Sequence, residues 1–319
     1  MGVFVYLPLV LPLTALPMAR LAEQHLHPRS ATRLLAAVGS TLALCSTLCL
    51  ALLMVVGTAQ LPGNPLPDGW SDPEVRAAVP YEEKAGLIAI VVLGAVLVAC
   101  GSTLLRHVRT RIRAARALPP QRAGDGDLAV VPSPDPYAYA LPGTPGRDGR
   151  VVVSTAMLEC LDARERRALV AHERAHLTGR HHRYLLATQL AARANPFLLP
   201  LRTAVAYSTE RWADEEAAYA VGSRRAVATA VGKAALLSPR HETGPAVLPA
   251  FAAPSPAGPV PRRVAALLDP EPSAGLWPPR SAHLVLAAVT ATVGTAASAL
   301  SSLSATVALV GILHAATPL

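Results

Sequence analysis

Hydrophobic positions fall into two regimes along this chain. Four long runs carry no charge, and between the third and fourth the pattern breaks into short strands and helices with polar faces. A helix needs about 20 mostly apolar residues to cross a bilayer. The runs predict spans at about 2–19, 34–59, 85–105 and 284–313. Pro8, Pro12 and Pro17 interrupt the first. It has no positively charged leader, so it is read as a retained span rather than a cleaved signal.

Residues 106–280 lie between the third and fourth spans and amount to one domain. β-Branched and alternating residues in LAVVPSPDPYAYALPG and RVVVSTAML flank the turn former TPGRDG, which predicts a hairpin or paired strands. The pattern then becomes helical. In LDARERRALVAHERAHLTG, Asp162 stands at an N-cap position with Glu165 three residues later, a capping box, and Gly179 closes the helix. Residues 241–279 are proline-dense apart from a short helix at RRVAALL. YLLATQLAARANPFLLPL is apolar but broken by Arg193, Pro196 and Pro200, so it is not a fifth span. It lies on the bilayer or fills the domain core.

Composition supports the membrane reading. Of 319 residues, 52% are hydrophobic and only 16% charged, where a soluble domain carries roughly a quarter. Charge placement then orients the spans, because Lys and Arg in short loops mark the cytoplasmic side. The first connection carries Arg20, Arg29 and Arg33, and the third span is followed by RHVRTRIRAAR. The loop between spans two and three is acidic, with Asp68, Asp72, Glu74, Glu82 and Glu83 against Arg76 and Lys84. The expectation is a multi-pass plasma-membrane protein with residues 106–280 in the cytoplasm and both termini outside. The net charge of +8 comes largely from these flanks, so the bilayer, not nucleic acid, is the expected partner. Cys45, Cys49, Cys100 and Cys160 have neither disulfide nor metal spacing.

The chemistry sits in LVAHERAHLTGRHHR, which concentrates four histidines in an apolar chain. His172 and His176, four apart on a helix, share one face and can grip a single Zn2+. Glu173 is then placed to take a proton from a zinc-activated water. A catalytic zinc takes three protein ligands, and YSTERWADEEAAYAVG supplies a third in Glu210. Asp214, one turn on, can accept the other ring N–H of a ligand histidine. Ala213 and Ala217 on the same face would let the two helices pack closely. The scissile peptide is expected to pair with an edge strand at Val151, Val152, Val153 and Ser154. His181 and His182 follow Gly179 and leave the face of His172 and His176, so they are read as a basic, interfacial helix end.

HExxH followed by a helix bearing ExxAD resembles the gluzincin membrane peptidases, the HtpX and CAAX-protease group and the BlaR/MecR antibiotic-sensor group. The four-span layout with the protease between spans three and four is similar to the BlaR/MecR type. VVVSTAMLECLDARERRALVAHERAHL and VPRRVAALL resemble that group's domain. The resemblance implies a mostly α membrane protein with four transmembrane helices and a cytoplasmic α+β zincin-like metalloprotease domain. It implies His172, His176 and Glu210 as zinc ligands, Glu173 as general base and Asp214 behind the ligands. BlaR/MecR sensors carry an extracellular penicillin-binding domain after the fourth span, whereas here the chain ends at HAATPL. The expectation is therefore a member without that sensor, taking its signal through the acidic loop, the membrane or a separate sensor partner. The function expected is cleavage of a cytoplasmic or membrane-proximal protein, as a regulatory switch acting on a transcriptional repressor. The alternatives are quality control of misfolded membrane proteins, or a non-catalytic scaffold or transporter.

Overall fold

The computed structural model describes residues 5–59, 83–118, 126–144, 148–237, 260–271 and 282–316. Most of the acidic loop and most of residues 241–279 lie outside the described residues. Helices α1 (Leu7–Val10) and α2 (Leu16–His25) flank a 3-10 turn at Leu11–Ala15 and lead into the long α3 (Pro28–Ala59) and α4 (Glu83–Ala117). Three strands follow, β1 (Leu128–Val131), β2 (Ala138–Leu141) and β3 (Arg150–Ser154). The remaining helices are α5 (Thr155–Glu159), α6 (Ala163–Thr178), α7 (His181–Ala194), α8 (Leu199–Val221), α9 (Arg224–Leu237), α10 (Val260–Leu268) and α11 (Ala282–Ala316).

Among the described residues, three helical stretches are long and apolar enough to cross a membrane: Pro28–Ala59, Lys84–Ala117 and Ala288–Ile312. They coincide with the second, third and fourth predicted spans. The segment predicted as the first is helical but segmented, and its prolines explain the breaks. Pro12 has no N–H to give the Pro8 carbonyl, so Ser46 Oγ of α3 donates to that carbonyl instead, at 2.6 Å. Asn195 Nδ2 donates to the neighbouring Leu9 carbonyl at 3.1 Å and to Ser46 Oγ at 3.0 Å. Backbone freed by proline is thus re-satisfied from two other elements, as an apolar setting requires.

α3 and α4 cross where Gly57 meets Gly86. A Cβ on either residue would run into the backbone of the other, so small residues permit the close approach. α4 does not stop at the predicted membrane exit. It continues through the basic segment, and Ala114 near its end packs on the sheet against Ala129, Tyr139 and Val152. α7 and the first half of α8 lie along α3, with Ala191, Leu198, Leu201 and Val205 in one buried cluster with Leu35, Leu42 and Ala43. The apolar stretch 184–201 therefore fills a core shared with the membrane helices.

The sheet order is β1-β3-β2, with β1 parallel and β2 antiparallel to β3. The expected hairpin is β2–β3, in register Ala138↔Val153 and Leu141↔Arg150. The expectation that Val151–Ser154 is an edge strand is incorrect. β1 returns alongside β3, from Leu128↔Val151 to Val131↔Ser154, so β3 is the middle strand, bonded on both sides. Val151, Val152 and Val153 have no exposed surface; each such side chain contributes about 1.5–3 kcal/mol by burial. Ser154 caps α5 by accepting from the Met157 N–H at 3.2 Å.

Candidate metal centre

Three helices bring the site together. α6 starts at the predicted capping box: Asp162 Oδ1 accepts from the Arg164 and Glu165 N–H groups, and Glu165 Oε2 accepts from the Asp162 N–H. That start fixes the phase that points His172, Glu173 and His176 inward. α8 packs against α6 through Ala213 and Ala217, both fully buried, which brings Glu210 and Asp214 to the histidines.

His172 Nε2 and His176 Nε2 face each other at 3.2 Å. Glu210 places Oε2 3.6 Å from the first and Oε1 3.6 Å from the second. Ligands about 2.0–2.1 Å from a tetrahedral Zn2+ stand about 3.3–3.4 Å from one another. The three donors thus stand at the separations of a tetrahedral metal's ligands, and they form the described residues' one cluster suited to a metal ion. Burial lowers the His176 imidazole to about 4, so the ring is neutral and one of its two nitrogens has a lone pair to offer a metal. Burial also disfavours the charged form of His172, but Asp214 and Glu210 outweigh it and raise the pKa to about 10. A metal entering here must displace that proton.

Behind the donors, His172 Nδ1 lies 3.1 Å from Asp214 Oδ1. Two residues that sequence reasoning did not assign to the site complete the surround. His181, read as interfacial, is instead fully buried, with Nδ1 2.9 Å from His176 Nδ1. The helical-face argument failed because α6 ends at Gly179 and Arg180 adopts a left-handed backbone, φ 51°. The turn sends α7 back and drops the first residue of that helix behind His176. Gly179 is needed there for room, since a Cβ would strike the His181 ring. Arg263 of α10 is the second addition. Its Nε and Nη2 donate to Asp214 at 2.9 and 2.6 Å, and Nη1 lies 2.9 Å from Glu210 Oε2. Burial pushes both carboxyls up, but Arg263 and the histidines hold them below their usual range. The signal in sequence was the arginine pair, Arg262 and Arg263, inside the otherwise apolar VPRRVAALL.

Glu173 shares a cavity of about 200 Å³ with His172, Glu210, Arg263 and Ala138 of β2. Burial raises its carboxyl to about 7; His172, Arg263 and the Ala140 backbone N–H act the other way, while Glu210 adds to the rise. β2 is a sheet edge, and it borders the site. Val151–Ser154 do not reach it among the cavity's lining residues.

A helical membrane protein with an inward-facing His-His-Glu cluster and an adjacent buried carboxyl defines a candidate metalloenzyme. Residues 108–212 match the model of Peptidase family M48. That segment contains His172, Glu173, His176 and Glu210, and the match supports a metallopeptidase of the HtpX/BlaR kind. No curated protein and no solved structure matches the chain.

Proposed function

We propose that the chain is a multi-pass membrane zinc endopeptidase whose ligands are His172, His176 and Glu210. The observation that carries this reading is the set of three donor separations, 3.2, 3.6 and 3.6 Å, with Glu173 in the same cavity. Zinc held there would polarise a peptide carbonyl and make water acidic near neutral pH. Glu173 accepts a proton from the attacking water and delivers it to the leaving amine nitrogen. Asp214 accepts the Nδ1–H of His172 and His181 Nδ1 accepts that of His176, so that both rings present Nε2 to the ion. Arg263 keeps Glu210 and Asp214 charged and in place. The substrate lies extended beside β2, whose outer edge at Ala138 borders the cavity, and pairs with it as an added strand.

The cleaved protein is cytoplasmic or membrane-proximal in this reading. Four spans, with the Leu7–His25 segment as the first, put both termini outside and the site on the Arg-rich, cytoplasmic side. Cleavage serves as a regulatory switch of the BlaR/MecR type rather than as general clearance. The packing of α7 and α8 along α3 favours this, because it gives a membrane event a direct mechanical route to Glu210. The deciding experiment is Glu173→Gln in the intact chain, compared with wild type by proteomics. The variant should keep close to one zinc per chain and lose about 10²–10⁴-fold in cleavage rate. Cleavage at the wild-type rate would end the mechanism.

A further inference from the structure

On the face of α6 turned away from Glu173 lies a second, larger cavity of about 710 Å³. Five arginines line it: Arg29 and Arg33 from the start of α3, Arg174 from α6, Arg180 from the α6–α7 turn and Arg183 from the first turn of α7. Arg174 is spent on a two-pronged pair with Asp127. Arg29, Arg33, Arg180 and Arg183 have no carboxylate partner among the described residues. The wall's one acid, Glu216, accepts a hydrogen bond from Trp212 Nε1 at 3.0 Å. These four guanidinium groups are exposed to solvent, and together they give the concavity a positive potential that attracts an anion.

Several features say what kind of anion. The guanidinium fork suits phosphate oxygens, which it meets bidentately. Arg29 and Arg33 are preset in place, each over the Trp212 ring at 5.6 and 5.4 Å from its centroid. They occupy the first two turns of a helix long and apolar enough to span a membrane. The cavity mouth therefore stands where headgroups lie, with Trp212 and Tyr184 supplying the amphipathic rings common at that depth. The same Trp212 packs at a tilt on His181, ring centroids 4.4 Å apart, and His181 meets His176 edge-on at 4.8 Å. A ligand in this cavity thus touches Trp212, one ring away from the histidine that backs the metal cluster.

We propose that this cavity binds the phosphate headgroup of an anionic membrane phospholipid. The site is separate from the peptidase centre, and its test requires no catalysis. The full chain carrying Trp70→Phe and Trp277→Phe has Trp212 as its sole indole. It is placed in phosphatidylcholine nanodiscs with increasing phosphatidylglycerol, and Trp212 emission is followed. The expected result is a saturable shift at low mole fractions of phosphatidylglycerol. The pairs Arg29→Gln/Arg33→Gln and Arg180→Gln/Arg183→Gln should each weaken the response roughly 30-fold. The cation–π contacts to Trp212 come from the first pair, so the second pair reports on binding with those contacts left in place. Lipid retained on the chain, counted by native mass spectrometry, should fall in parallel. No shift in the wild type, or an unchanged titration in both pairs, overturns the proposal. So does saturation by glycerol 3-phosphate in pure phosphatidylcholine discs, which would make the ligand a soluble phosphate.

Discussion

Arg263→Met isolates the one side chain that holds the two site carboxylates together. Methionine keeps the length and much of the packing of the arginine stem but supplies no charge and no donor. Asp214 is fully buried and loses two hydrogen bonds, and Glu210 loses a third contact. Removing one partner of a buried pair costs about 3–5 kcal/mol, because the other charge stays behind. For a domain of this size that is roughly a 6–20 °C drop in unfolding midpoint. The measurement is thermal unfolding by circular dichroism in detergent with a chelator present, so that metal binding does not mask the loss. Combining Arg263→Met with Asp214→Asn should recover part of the deficit, because the stranded charge is gone. The expected coupling is about 1–3 kcal/mol. If the two single effects simply add, within about 0.5 kcal/mol, Arg263 is not neutralising Asp214 and the account of the brace is wrong.

His181→Phe should keep the ring contact with Trp212 but remove the acceptor for His176, lowering zinc affinity about 10–100-fold in chelator competition. His181→Asn offers an acceptor oxygen near the same place and should recover most of that loss; equal loss in both would assign His181 to packing alone. Gly179→Ala should displace the His181 ring and destabilise the chain by about 1–3 kcal/mol, whereas a stability within 0.3 kcal/mol of wild type would show the turn adjusts freely. Sidedness reporters placed at Gly143 and at the C-terminus should face opposite compartments. A reporter at the N-terminus should share the compartment of the C-terminal one if Leu7–His25 crosses the membrane, and the compartment of Gly143 if it does not.

What could be read from sequence was what is local. Asp162, Glu165 and the 172–176 spacing lie within one helix, where the capping box and a 3.6-residue period dictate geometry directly. Glu210 and Asp214 followed because their helix carries alanines at the contact positions. His181 was misplaced because a left-handed residue at Arg180 reverses the chain, and no periodicity survives such a turn. Arg263 lies far along the chain from Asp214, and its pairing depends on how α10 docks. Val151–Ser154 looked like an edge because each hairpin strand has one visible partner in sequence. The second partner, β1, reaches β3 only by passing over the intervening β2 segment.

The glycine crossing of α3 and α4 makes the pair a scissor with its rivet at one end. Gly57 lies about 28 residues from Arg29, and Gly86 a similar distance from Ala114, so each blade is about 42 Å long at 1.5 Å per residue. One blade ends in the arginines over Trp212, and the other ends against the sheet whose edge borders Glu173. A rotation of roughly 2° at the rivet sweeps either tip through about 1.5 Å, the scale of helix shifts that switch other proteins between states. Leverage, rather than displacement, is what the loop joining the blades would need to supply.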